Sequence, residues 1–125
     1  MSKPRFLLDT NILVYLIGGA SPHLRGRVEE HEPGHIVTSA LCVAEAMYGI
    51  ATNGQSASLA ALLAVIEPLP FDLAAAERFP EVPFRRGKLD RFIAAHALAL
   101  DVTLVSNNER DFADVPGLSV ENWTR

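Results

Sequence analysis

The side chains in this sequence best placed to do chemistry are acids in unusual surroundings. Asp9 directly follows the apolar run Phe6-Leu7-Leu8 and opens Asp9-Thr10-Asn11. An unbroken apolar triplet suits a strand buried on both faces, and open α/β sheets bind ligands just beyond the carboxyl ends of their strands. Glu45 lies inside Leu41-Cys42-Val43-Ala44-Glu45-Ala46-Met47, with no basic residue within seven positions on either side. It borders an apolar helical face, where a buried and unpartnered carboxylate is costly, so either it points to solvent or something cationic meets it. Asp90 stands at the first turn of a helix predicted over Leu89–Leu100. Leu89, Phe92, Ile93, His96 and Leu100 form its apolar stripe. Asp90, Ala94 and Ala97 form a small-residue stripe beside it, with room for a ligand or a closely packed backbone. Asn108 and Asp111 follow another strand and, three apart, share one face of a helical turn.

Each of these residues also has a plainer reading. Asp9 caps a helix, Asp90 complements a helix dipole, Asn108 caps a turn and Asp111 is a surface acid. Their common feature is position: they fall just past strand ends or on the first or middle turns of helices. A parallel sheet gathers its strand ends along one edge, so such acids can converge. Hard cations such as Mg²⁺ and Mn²⁺ take oxygen ligands, and at such a site they activate water and stabilise in-line displacement at a phosphodiester.

The elements that must position these acids alternate along the chain. After the first strand an apolar stretch, Ile12 to Ile17, runs to Gly18-Gly19, and Ser21-Pro22 then opens a polar helix to about His31. His35 to Thr38 reads as a second strand and Ala40 to about Ala51 as a helix. A further helix runs from about Ser56 to Val65, and Ile66 to Phe71 is a short strand punctuated by Pro68 and Pro70. Asp72 caps an alanine-rich helix that Pro80 ends, and Phe79 to Lys88 is a loop. Val102 to Val105 is a strand, Asn108 to Phe112 one helical turn, and Leu118 to Val120 a last short strand after Pro116-Gly117. Strands separated by helices predict a three-layer α/β/α sandwich with a central parallel sheet. Nothing reads as a linker or repeat, so residues 1–125 are expected to form a single domain.

Composition sets outer bounds. The chain has 125 residues, 49% hydrophobic and 21% charged, which is a core-forming balance. Its longest apolar run, Leu59 to Ile66, is far short of the ~20 residues needed to cross a bilayer, and no signal peptide can be read at the N-terminus. One cysteine, Cys42, excludes an internal disulfide, so a cytoplasmic location is expected. A net charge of −4 argues against holding nucleic acid by bulk charge alone. The bases are nevertheless uneven: Arg78, Arg85, Arg86, Lys88 and Arg91 bring five of eleven into fourteen residues. His23, His31 and His35 have no metal-ligand spacing with Cys42, which argues against a zinc site. His96, on an apolar stripe, reads as a satisfied core histidine, Cys42 as packing, and Trp123 as cover for the sheet edge or a subunit contact.

At these acids the sequence resembles PIN-domain ribonucleases, specifically the VapC-type toxins of toxin–antitoxin pairs. The resemblance is carried by Phe6-Leu7-Leu8-Asp9-Thr10-Asn11, by Val43-Ala44-Glu45-Ala46-Met47-Tyr48-Gly49, by Leu89-Asp90-Arg91-Phe92-Ile93-Ala94-Ala95-His96-Ala97-Leu98, and by Thr103 to Phe112. The closing Val115-Pro116-Gly117-Leu118 and Glu121-Asn122-Trp123 fit as well, in order along essentially the whole chain. The resemblance implies a Mg²⁺- or Mn²⁺-dependent endoribonuclease in which Asp9, Glu45 and Asp90 bind metal directly or through water. The family's fourth acidic position is less regular, and here it is assigned to Asp111 with Asn108 as its neutral partner. Ser106 stands where threonine is usual and keeps the hydroxyl that orients the acids, and Asn11 is expected to hydrogen-bond near Asp9. Arg85, Arg86, Lys88 and Arg91 are candidates for RNA backbone contacts. Relatives commonly have a longer helix where this chain has the Phe79–Lys88 loop, which bears on RNA choice or antitoxin contact.

The resemblance further implies a homodimer and a cognate VapB-type antitoxin that supplies all contact with operator DNA. Two rivals come from other classes. One is a catalytically inactive PIN fold that serves as a protein-binding module. The other is a phosphoryl-transfer domain with Asp9 as nucleophile, which Lys3 and Lys88, the only lysines, are poorly placed to assist.

Overall fold

A computed structural model describes residues 3–19, 21–50, 54–84 and 88–125. Strand β1 (Phe6–Leu8) leads into helix α1 (Thr10–Gly18), then α2 (Pro22–Glu29) and β2 (Ile36–Ser39). Helices α3 (Ala40–Ile50) and α4 (Ser56–Leu63) connect to β3 (Glu67–Leu69). Helices α5 (Leu73–Arg78) and α6 (Asp90–Leu100) return the chain to β4 (Thr103–Val105), and β5 (Val120–Glu121) ends it. Short 3₁₀ turns fill Pro33–His35, Phe79–Glu81 and Glu109–Phe112.

The sheet is parallel throughout, in the order β3-β2-β1-β4-β5. From central β1 the chain steps outward to β2 and β3, then crosses back to β4 on the other side of β1. Right-handed crossovers in opposite directions put their helices on opposite faces of the sheet. Accordingly α1 packs with α3 and α4, and α5 packs with α6, giving the expected α/β/α layers. The crevice between β1 and β4, where the strand order reverses, is where ligands enter sheets of this kind.

Local chemistry accounts for the element ends. The Ser21 side chain accepts from the Leu24 amide at 3.1 Å with Pro22 in the first helical position, and Asp72 accepts from Ala75 at 3.0 Å. Central strands β1 and β2 are buried along their length, as their apolar runs require. Pro68 lies in β3 at the sheet edge, where a missing N–H is tolerated. The last strand starts later than expected. Gly117 takes a left-handed φ of 80° and the Leu118 amide turns back to Val115, so pairing with β4 begins at the Ser119 carbonyl.

Two expectations about packing resolve in the same way. Ala94 and Ala97 are wholly buried, so the small stripe of α6 serves close packing rather than ligand space. Trp123 is also wholly buried, stacked on His31 at 5.2 Å and edge-on to Phe6 at 4.9 Å, with Arg27 over its ring.

Candidate active site

Asp9 ends β1 and caps α1, so its position is fixed by sheet and helix together. Its backbone amide donates to the Val105 carbonyl of β4 at 2.9 Å. One carboxylate oxygen accepts from the Thr10 amide at 2.8 Å and the other from the Ser106 hydroxyl at 2.9 Å. Burial raises its pKa, the Thr10 and Ser106 hydrogen bonds oppose that rise, and the charges of Glu45 and Asp90 add to it, with a net upward shift.

Glu45 is exposed on α3, the first of the two alternatives its sequence surroundings left open. It leans toward β1: the Thr10 hydroxyl donates to its Oε1 at 2.5 Å. Asp90, at the start of α6, has a side chain 19% exposed, with Oδ1 buried and without a hydrogen-bond partner. Asp111 lies on the 3₁₀ turn after β4, and the Asn108 side-chain amide donates to its Oδ2 at 2.5 Å. The Asn108 backbone amide in turn donates to Ser106 Oγ at 3.0 Å. A chain of hydrogen bonds therefore runs from Asp111 through Asn108 and Ser106 to Asp9.

These four carboxylates line one pocket of about 270 Å³, together with Thr10, Asn11, Lys88 and Asn108. A larger concavity of about 690 Å³ lies elsewhere, lined by Arg5, Arg78, Asp101, Thr103 and their neighbours, and holds none of the four. Against four acids the pocket carries one described base, Lys88. Its donors are all oxygen, and the buried Asp90 oxygen lacks a donor, so the residues fit a hard divalent cation. Among the described residues, no three acid, imidazole or thiol groups are drawn together into a ready-made metal cage. Mg²⁺ does not require one, because it keeps several waters and takes one or two carboxylates directly.

Two sequence expectations are corrected here. Asn11 lines the pocket, but its amide reaches Asn107 at 3.4 Å and not Asp9, which Ser106 and Thr10 already hold. Arg91 is 1% exposed and engaged by Asp111, Pro83 and Asp114, so its guanidinium is closed to an RNA phosphate. Of the other proposed backbone contacts, Lys88 is exposed at the pocket, while Arg85 and Arg86 lie outside the described residues. Sequence reasoning missed two residues. Thr10, read only as part of a cap, bridges to Glu45, and Asn107 links Asn11 to the Tyr15 hydroxyl at 2.9 Å. Their one visible signal was a polar side chain directly beside an acid or an amide at a strand end.

An acid-lined pocket at the strand-order reversal of a five-stranded parallel sheet places this molecule among α/β proteins with a ligand crevice at that edge. The chain belongs to the PIN-domain family, whose profile matches residues 6–118. It is 27% identical to the tRNA(fMet)-specific endonuclease VapC of Salmonella typhimurium, covering 95% of this chain and 98% of that one. It is 32% identical to the ribonuclease VapC2 of Haemophilus influenzae, with the same coverage. Among solved structures it is similar to VapBC2 of Rickettsia felis bound to a promoter DNA fragment, with a TM-score of 0.84 and 28% identity over 94% of this chain and 98% of that one. DNA-bound VapBC of Salmonella typhimurium matches with a TM-score of 0.81 and 26% identity, over 96% of this chain and 98% of that one.

Proposed function

We propose that this protein is a VapC-type endoribonuclease toxin that hydrolyses RNA phosphodiester bonds with Mg²⁺ or Mn²⁺ and is neutralised by a VapB-type antitoxin. The observation that carries this reading is the convergence of Asp9, Glu45, Asp90 and Asp111, from four separate elements, on one pocket at the β1–β4 crevice. Relatives named as ribonucleases and complexes of VapC with VapB support it.

Asp9, Glu45, Asp90 and Asp111 would hold the ion, with waters completing its shell. When bound, it supplies an acidified water and charge neutralisation at the phosphodiester. The chain's own residues do the positioning. Ser106 and the Thr10 amide fix both oxygens of Asp9, Thr10 Oγ1 draws Glu45 toward β1, and Asn108 holds Asp111. Lys88 is the described base placed to meet a backbone phosphate, and Arg85 and Arg86 precede it in the same basic segment. In the complexes bound to DNA, VapB accompanies VapC, which supports contact with operator DNA through the antitoxin. A homodimer completes the assembly we propose.

The test is cleavage of total RNA by antitoxin-free protein with Mg²⁺, with Mn²⁺ and with EDTA, beside Asp9→Asn. Because two relatives are named for tRNA(fMet), purified initiator tRNA belongs among the substrates. Discrete fragments that require both metal and Asp9 are expected. Equal cleavage by wild type and Asp9→Asn overturns the proposed site, and a folded protein that neither cleaves nor binds Mn²⁺ is a binding module instead.

A further inference from the structure

Arg91 is the one arginine or lysine that is buried among the described residues. A desolvated guanidinium is retained only where its donors are matched, and its rigid planar fork then fixes the groups that match it. Its Nη2 donates to the Asp111 carbonyl, and its Nη1 donates to the Pro83 carbonyl at 3.3 Å. The same Nη1 contacts both carboxylate oxygens of Asp114 at 3.2 and 3.3 Å. Its Nε lies 3.6 Å from Asp90 Oδ1, and neither atom has a hydrogen-bond partner. One side chain thus grips the start of α6, the turn after β4 and the segment after α5, and two of these three elements carry pocket acids.

We propose that Arg91 is a positioning residue, which fastens the Asp111 turn to the start of α6 and so sets the relative placement of Asp90 and Asp111. The consequence for cleavage rests on the nuclease reading above, whereas the anchoring does not. Lysine brings the charge but not the fork, and a single ammonium cannot reproduce donors aimed at Asp111, Pro83 and Asp114 together. A displacement of about 1 Å among reacting groups is enough to cost on the order of 100-fold in rate.

The experiment compares wild type with Arg91→Lys, each first shown to melt cooperatively. For Arg91→Lys, kcat is expected to fall about 10- to 100-fold while KM for RNA stays within about threefold. Its Mn²⁺ affinity, measured by calorimetry, is expected to weaken. Amide hydrogen exchange at Asp111 and Ala113, which close the 3₁₀ turn through the Asn108 and Arg110 carbonyls, is expected to accelerate. A rise in KM with a flatter salt dependence would instead mark a phosphate contact and overturn the proposal. Unchanged exchange with unchanged kcat overturns it equally. Should Arg91→Lys fail to fold, Asp114→Asn loosens the fork from outside the pocket and carries the same expectation in weaker form, a fall in kcat of about three- to tenfold. If the wild type neither cleaves RNA nor binds Mn²⁺, the nuclease reading falls, and exchange at the turn alone decides the role of Arg91.

Discussion

Ser106 donates its hydroxyl to Asp9 at 2.9 Å across 97 positions of sequence, joining the residues that follow two neighbouring central strands. The contact follows from topology. β1 and β4 pair in parallel with Leu8 opposite Val105, so the residues after each emerge side by side at the same edge. Ser106 is wholly buried and also accepts from the Asn108 amide, so its hydroxyl bridges that amide and the Asp9 carboxylate. It therefore holds one oxygen of Asp9 while leaving the carboxylate open to the pocket.

Removing that hydroxyl tests whether orientation matters apart from charge. Ser106→Ala leaves Asp9 and the Asn108 amide each short of one partner, a loss of about 1–3 kcal/mol in stability. Cleavage is expected to fall about 10- to 100-fold, the range for outer-shell partners of metal-binding side chains. Ser106→Thr keeps the hydroxyl and is expected to retain most activity at the cost of packing one more methyl group. Urea melts and single-turnover cleavage of all three proteins check both statements, and full activity in Ser106→Ala would discard the orienting role.

The burial of Asp9 works against stability at neutral pH. Its folded-state pKa is raised above the ordinary 3.8, chiefly by burial and then by the charges of Glu45 and Asp90. A carboxyl raised in the folded state favours folding while it is protonated. That contribution is full below about 3.8 and is lost as pH rises through the folded value. Asp9→Asn removes the charge, and its amide oxygen still accepts from Thr10 while Ser106 can turn to accept from the new NH₂. The variant is expected to melt higher than wild type at pH 7 in EDTA, with the gain vanishing toward pH 4, while cleavage falls roughly 1,000-fold or more. Calorimetric melts across that range check the sign.

The Thr10–Glu45 contact gives a sharper test of how the exposed acid is used. Thr10→Val is nearly isosteric and leaves the α1 cap on Asp9 intact, but it frees Glu45 Oε1. Glu45 on its own is a surface side chain with several rotamers, so losing the hydroxyl releases it from one position. Stability is expected to change by no more than about 1 kcal/mol, because the acid remains hydrated. Activity is expected to fall about tenfold, recovered in part at higher Mn²⁺ concentration. A Mn²⁺ titration of the initial rate separates weaker metal binding from a slower step.

Much of this was legible in the sequence because it rests on local rules. Apolar triplets marked the central strands, and Ser21-Pro22 and Asp72 marked helix starts, since these depend on neighbours a few residues away. The acids were legible as acids in the wrong surroundings. Ser106 was legible as an orienting hydroxyl only through the family resemblance, and Thr10 with Glu45 was not legible, because both contacts are set by strand register and by how α3 packs on α1. Arg91 shows the limit most plainly. In a basic segment beside Lys88 it reads as a surface charge, and only the fold closes Asp114, Pro83 and Asp111 around it. For Glu45 the sequence left two alternatives, solvent or a cationic partner, and only the fold shows that its turn is exposed and faces the open pocket.

His96 offers a second pH test that is independent of the pocket acids. It is buried on α6 with Nδ1 2.9 Å from the Ser39 hydroxyl, and its ring meets Phe71 edge-on at 5.6 Å. Burial lowers its pKa below 6.5, with the charge of Asp72 opposing. The unfolded chain therefore takes up a proton at a higher pH than the native protein does. The stability this histidine contributes is complete above 6.5 and is lost as pH falls through its lowered folded value. His96→Gln, which can keep a hydrogen bond to Ser39 but does not titrate, is expected to be less stable than wild type at pH 8 through lost packing. The gap is expected to narrow steadily below about pH 6.5. Denaturation midpoints of the two proteins at matched pH provide the check, and parallel curves for the two would mean that His96 titrates alike in the folded and unfolded chains.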